Sequence, residues 1–273
     1  MPALDINGAS LWYRQAGRGP ENIVFSHGLL MDHTMFDAQL EALAERFRCI
    51  AYDHRGQGRS EPTRSGYDMD SLTADAAALI ERLGAAPCHF VGLSMGGFVG
   101  LRLAIRRPEL LRSLVLVNTT AETDPPGKFV QYWLMRAWAR VFGFRALLRP
   151  ILPVMFGAST LADPAMQAVT ERWQALVRDA RRRALLKATA GVLYRAGVAD
   201  ALHRIRTPTL IVAGAEDTAT PPATARRMHA AITGARYVEI PGAGHSSPLE
   251  QPASVTAAIQ AFLADPQAPI GGS

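Results

Sequence analysis

The sequence predicts an α/β domain: a mostly parallel central sheet flanked by helices, interrupted once by a helical insertion. Three observations carry this. Short apolar runs alternate with helical patterns at both ends of the chain. Most of those runs are continuously apolar, as strands covered on both faces of a parallel sheet require. The alternation stops near Asn118 and resumes at Thr207.

The strand-like runs are Ile23–Ser26, Cys49–Tyr52, His89–Gly92, Ser113–Val117, Thr209–Ala213 and Tyr237–Ile240, each short and bounded by turn residues. Leu4–Asn7 and Ser10–Gln15, separated by Gly8, read as an opening amphipathic hairpin. Helical patterns cover Phe36–Arg46, Ser71–Leu83, Gly97–Arg106, Pro222–Ile232 and Ala253–Leu263, with Pro108, Pro208 and Pro241 marking breaks. From Thr119 to Arg204 only helical patterns occur, broken at Pro125-Pro126, Pro150, Pro153 and Pro164. The expected division is a core of residues 1–118 and 205–273 with a helical cap at 119–204. The tail from Ala264 to Ser273, small and Pro/Gly-containing, is expected to fray.

Bulk properties narrow the function classes. With 273 residues, 48% hydrophobic and 19% charged, the chain can bury a large core. The net charge of +5 comes with no recognised nucleic-acid motif, so no nucleic-acid partner is expected. No run approaches the roughly 18 apolar residues of a membrane span, and residues 1–17 lack a signal-peptide pattern. A cytoplasmic protein without a membrane partner is the expectation, with homo-oligomers allowed. Cys49 and Cys88 both lie in buried-strand patterns rather than a disulfide framework.

Chemistry enters at Gly92-Leu93-Ser94-Met95-Gly96, which matches G-x-S-x-G. A strand pattern precedes it and a helical one follows, so the turn must be tight and must project Ser94 outward. Gly92 and Gly96 are needed because side chains there would meet neighbouring backbone. A serine hydroxyl needs a base. His245 is the candidate, in the loop Gly242-Ala243-Gly244-His245-Ser246 after a strand. The base needs an orienting carboxylate. Asp217, after Thr209–Ala213, is the candidate and adjacent Glu216 the competitor; side chains alternate in extended backbone, so one of the two should face His245. The predicted catalytic set is Ser94, Asp217 and His245. The predicted oxyanion donors are the N–H groups of Leu29, which Gly28 allows the chain to turn inward, and Met95. His27 reads as a brace for that loop, His33 and His54 as loop or structural residues, His89 as the opening of a strand, and His203 and His229 as falling on polar helical stretches. No metal-ligand spacing occurs, and neither metal nor cofactor is expected.

Taken together, His27-Gly28, the loop Asp53-His54-Arg55-Gly56-Gln57-Gly58-Arg59-Ser60, the Ser94 turn, Gly214-Ala215-Glu216-Asp217 and Gly244-His245 resemble the α/β-hydrolase family over nearly the whole chain. The resemblance is nearest to small carboxylesterases and 3-oxoadipate enol-lactonases, on Gly92–Gly97, Leu114–Val117 and Asn118-Thr119-Thr120. It implies a sheet of about eight strands with the third between the fourth and fifth, and that the Asp53–Ser60 loop is structural. Cys49 and Cys88 would then sit about 10 Å apart across that strand, too far for a disulfide. Haloperoxidase-like members carry Trp-Pro after His-Gly where this chain has Leu29-Leu30. Relatives with epoxide or haloalkane substrates use an elbow aspartate, unlike Ser94.

The expected reaction is cleavage of small to medium apolar carboxylic esters through an acyl-enzyme, with lactones as the alternative substrate. Further alternatives are a cofactor-free haloperoxidase or perhydrolase and a non-catalytic ligand receptor. Trp133, Met135 and Trp138 are the expected pocket lining. The 119–204 stretch has thirteen Arg/Lys against six Asp/Glu, which would attract a carboxylate-bearing substrate or simply solvate helix surfaces.

Overall fold

The computed structural model describes residues 2–266; most of the tail for which fraying is expected, residues 267–273, lies outside them. Eight strands form one sheet: β1 Ala3–Ile6, β2 Ala9–Ala16, β3 Glu21–Ser26, β4 Phe47–Tyr52, β5 Cys88–Leu93, β6 Leu111–Val117, β7 Thr209–Gly214 and β8 Arg236–Ile240. Their order is β1-β2-β4-β3-β5-β6-β7-β8. The β1–β2 hairpin and the β2–β4 pair are antiparallel, and every later pairing is parallel.

The inner strands are buried on both faces, which is why their sequences do not alternate. In β5 and β7 every residue is buried. β3 sits between β4 and β5, with Ile23 opposite both Cys49 and His89. Cys49 and Cys88 are accordingly free buried thiols on strands that do not touch. Burial pushes both thiols up to about 12.

Helices α1 Asp37–Leu43, α2 Met69–Arg82 and α3 Met95–Arg106 fall between the early strands. The start of α2 is fixed by Asp68, whose side chain accepts from the Ser71 N–H at 2.9 Å. Between β6 and β7 the chain forms α4 Pro126–Phe142, α5 Leu148–Met155, α6 Ala158–Ala162, α7 Gln167–Asp179 and α8 Arg182–Leu193, joined by short 3₁₀ turns. After β7 come α9 Pro222–Ala231, α10 Ser247–Glu250 and α11 Pro252–Ala264. Two apolar layers result. One packs α2 and α3 on the sheet. The other joins α1 and α11 to the insertion through Phe144, Ile151, Phe156 and Trp173.

The Asp53–Ser60 loop is braced from within. Asp53, fully buried, accepts from the His33 N–H at 2.7 Å and the Arg59 N–H at 2.8 Å. The Ser60 hydroxyl donates to the Asp53 carbonyl and accepts from the Trp12 N–H. A side chain at Gly58, where φ is +50°, would strike the Asp53 carboxylate. These bonds fix the loop at the carboxyl end of β4.

Candidate active site

The site is built at the carboxyl ends of β3, β5, β6 and β7 and in the loop after β8, where parallel strands converge their loops. β5 runs straight into α3 with Ser94 as the only hinge. Ser94 has φ +50° and ψ −109°, a backbone that costs an ordinary residue about 1–3 kcal/mol. The surroundings hold it there: its N–H donates to the Val117 carbonyl, and its own carbonyl accepts from the Phe98 N–H and the Thr119 hydroxyl. The flanking glycines are steric necessities. A Cβ on Gly92 would lie 2.3 Å from the Gly96 carbonyl oxygen, and one on Gly96 would lie 2.0 Å from that of Ser26.

Met95 is the first residue of α3, and the first N–H groups of a helix have no acceptor within it. That twelve-residue helix has no acidic side chain in its first turn, so its positive end faces the serine uncompensated. The His27–Leu30 loop lies directly opposite. A Cβ on Gly28 would come within 2.8 Å of the Leu93 side chain and 3.5 Å of Ser94 Cβ. Close approach, rather than a left-handed backbone, is thus what calls for glycine at 28; the left-handed residue in this loop is Leu30, with φ +64°. His27 is fully buried. Its Nδ1–H donates to the Gly28 carbonyl at 2.7 Å, and its Nε2 accepts from the His54 N–H at 3.0 Å. Burial lowers the pKa of both His27 and His54, favouring neutral rings.

The structure brings Asp217 and His245 together. The His245 Nδ1–H donates to Asp217 Oδ2 at 2.9 Å. Four further donors hold the carboxylate. The Ala219 and Thr220 N–H groups reach Oδ1 at 2.8 and 2.9 Å. The Thr220 hydroxyl and Asn118 Nδ2 reach Oδ2 at 2.7 and 2.8 Å. Burial alone pushes the Asp217 carboxyl up, but the attraction of His245 and these hydrogen bonds outweigh it and leave the group below its ordinary range. Glu216 points elsewhere. Its carboxylate accepts from the N–H and hydroxyl of Ser159 in α6, and the Ser159 hydroxyl holds it below the usual range. The two adjacent acids sit in a turn that the Asp217 N–H closes on the Gly214 carbonyl, and they diverge, one toward His245 and one toward the insertion.

Three supporting residues escape sequence reasoning. Asn118 has φ +45°; its amide bridges Asp217 and the Gly244 carbonyl, and its oxygen accepts from the Ser247 hydroxyl. Its place at the end of β6, where Asn tolerates a left-handed backbone, was the available signal. Thr220 supplies two of the donors on Asp217. Glu250, 4% exposed, accepts from the N–H groups of Gly244 and Ser246 on either side of His245, and from Gly157 N–H and the Thr160 hydroxyl in the insertion. One carboxylate thus ties the His245 loop to the helices above it.

Ser94, His245, Leu29 and Leu30 line one cavity of about 150 Å³, closed by Phe98, Met135, Phe144, Ile151, Met155 and Val192. Its polar margin includes Tyr132, Arg136 and the pair Arg195–Asp124, joined at 2.8 Å. Of the expected lining residues, Met135 is present but Trp133 and Trp138 are not. They are 45% and 52% exposed, on the outer side of α4. The helix turns Tyr132, Met135 and Arg136 inward, positions spaced by three and four, and Trp133 and Trp138 fall on the opposite arc. Among the described residues no cluster of His, Cys, Asp and Glu could hold a metal ion, and no helix is long and apolar enough to cross a membrane.

Comparison with known proteins agrees with this fold. A family model described as the alpha/beta hydrolase fold matches residues 21–252. The solved enol-lactonase from Burkholderia xenovorans is 31% identical with a TM-score of 0.90, over 97% of this chain and 100% of that one. A thermophilic esterase from Thermogutta terrifontis is 30% identical with a TM-score of 0.88, over 95% of each chain. A Mycobacterium tuberculosis protein provisionally named non-heme bromoperoxidase BpoC is 33% identical over 83% of this chain and 86% of its own length.

Proposed function

Since the chain belongs to the α/β-hydrolase family, we propose that it is a serine-dependent carboxylic ester hydrolase for small to medium apolar substrates. The observation that carries this is the Asp217–His245 pair, held at 2.9 Å on the same cavity as Ser94. With Nδ1–H committed to Asp217, the neutral imidazole presents Nε2 as a base. In this reading Ser94 Oγ attacks the ester carbonyl carbon and His245 Nε2 takes the hydroxyl proton. The oxyanion is received by the Met95 and Leu29 N–H groups, and each such donor is worth about 3–4 kcal/mol. The imidazolium returns its proton to the departing alkoxide, leaving an acyl-enzyme. Water, deprotonated by His245, then releases the acid and restores Ser94. No metal or cofactor enters these steps.

The apolar lining favours acyl groups without charge. Arg195 is already neutralised by Asp124, so it offers little to a substrate carboxylate. Lactones are the second reading, favoured by the likeness to the enol-lactonase and by Arg136 at the cavity margin. A panel of p-nitrophenyl esters run beside lactones tests both. Ester turnover that vanishes in Ser94→Ala is the expected result. Full turnover in that variant overturns the mechanism.

A further inference from the structure

Among the described residues, the outer face of α4 is unpartnered and strongly apolar. Val130, Leu134, Trp138 and Val141 follow one another along a single stripe, with Trp133 and Phe142 beside it, and all six are between 45% and 66% exposed. Trp138 and Phe142 pack with ring centroids 4.5 Å apart and planes tilted by 39°, so Phe142 joins the stripe at Trp138. Contiguous exposed apolar surface of this kind marks an interaction site.

Its electrostatic setting says with what. From Pro125 to Ala162 the sequence holds no Asp or Glu; of its basic residues Lys128 and Arg136 turn to the Thr218 carbonyl and the cavity, which leaves Arg140, Arg145 and Arg149. The start of α8 adds more positive charge at the C-terminal end of the patch, where the Arg182 guanidinium donates to the Arg140 and Val141 carbonyls. Arg140, Arg182, Arg183 and Lys187 surround a shallow depression there. Tryptophan, phenylalanine and leucine fringed by arginine is the composition of a helix that lies in a lipid interface. A second copy of the chain fits less well. A two-fold contact would set this patch against itself and bring the same arginines face to face.

We propose that the outer face of α4, with the arginines beside it, is a docking surface for an anionic lipid bilayer. This departs from the sequence-based expectation of no membrane partner. The aromatic and aliphatic side chains enter the headgroup boundary, and Arg140, Arg145, Arg149, Arg182 and Arg183 meet lipid phosphates. The opposite face of the same helix lines the catalytic cavity. A docked bilayer therefore lies about one helix diameter, roughly 10 Å, from the acyl site.

The test is co-sedimentation of the full chain with phosphatidylglycerol–phosphatidylcholine vesicles and with pure phosphatidylcholine vesicles, read beside tryptophan emission. The other two tryptophans, Trp12 and Trp173, are buried, so a blue shift on adding vesicles reports Trp133 and Trp138. Each basic residue near an anionic surface strengthens partition about fivefold. Partition into the anionic vesicles is expected to exceed that into neutral ones by more than about tenfold, and to fall as salt rises and the Debye length shrinks. The variant W133S/L134S/W138S is expected to lose partition and blue shift by about tenfold or more, with ester turnover and far-ultraviolet circular dichroism unchanged. R140Q/R145Q/R149Q should lose the preference for anionic lipid. The proposal is overturned by no partition at low salt, by equal partition into neutral vesicles, or by a triple variant that partitions like the parent. A parent dimer that the serine variant converts to monomer, with no vesicle binding, also overturns it and assigns the face to a second copy.

Discussion

Replacing Asp217 by asparagine tests the catalytic reading most sharply, because the carboxylate faces five donors and no acceptor. Oδ1 receives two backbone N–H groups, and Oδ2 receives Asn118, the Thr220 hydroxyl and His245 Nδ1–H. An amide has only one oxygen. Placed toward the backbone, it leaves its own NH₂ facing Asn118 and His245. Placed the other way, it confronts the Ala219 and Thr220 N–H groups. Each donor left buried and unmet costs roughly 1–3 kcal/mol, so the variant should be measurably less stable. The chemical effect is larger. With NH₂ opposite Nδ1, His245 relieves the conflict by moving its proton to Nε2, the nitrogen that must accept from Ser94. Loss of the working tautomer is worth about 10⁴ in kcat, or ~5.4 kcal/mol at about 1.36 kcal/mol per decade. The assay is p-nitrophenyl ester turnover on protein shown folded by circular dichroism, with Glu216→Gln measured alongside. Asp217→Asn within tenfold of the parent, or a greater loss in Glu216→Gln, refutes the assignment.

Other consequences are open to direct measurement. Glu216→Gln should leave kcat within about threefold, because this half-buried carboxylate bonds Ser159 rather than His245. Glu250→Gln should lower the melting temperature by about 4–12 °C and reduce kcat: an amide cannot satisfy four donors, and roughly 2–3 kcal/mol at 2–4 °C per kcal/mol gives that range. Differential scanning calorimetry and steady-state kinetics read the two effects, and an unshifted melting curve would remove Glu250 from the account. Stability should also fall on acidification. His27 and His54 are buried with lowered pKa, so the unfolded chain binds more protons as pH drops below about 6.5, and stability present above that value is lost toward the folded pKa values. Asp217, also lowered, extends the loss below about pH 4. Urea titrations across this range check the slope; a midpoint constant from pH 7 to 4 contradicts it.

What the sequence discloses and what it hides follow from how far each feature reaches along the chain. The strands are legible because burial on both faces makes each a continuous apolar word, and β3, β5 and β7 lie within a residue or two of their expected ends. The Ser94 turn is legible because its steric demands fall on immediate neighbours: glycine at 92 and 96 answers clashes of 2.3 and 2.0 Å. Alternation in extended backbone predicts that only one of Glu216 and Asp217 faces His245, but the pair sits in a turn, and which acid faces inward is set by Ser159 on one side and by Asn118 and Thr220 on the other. Asn118 and Glu250 act across gaps of 99 and 90 residues, on Asp217 and Thr160, and no local pattern carries that information. α4 fails for a different reason. Phe129, Val130, Tyr132, Trp133, Leu134, Met135, Trp138, Val141 and Phe142 leave it apolar around most of its circumference, so periodicity gives no phase and cannot say which arc faces the cavity. Only the tertiary structure sets Tyr132, Met135 and Arg136 inward. The ambiguity that misplaces Trp133 and Trp138 has the same physical origin as the exposed patch they form. A helix with one partner needs one apolar face, and α4 carries a second, which is the feature that the bilayer proposal accounts for.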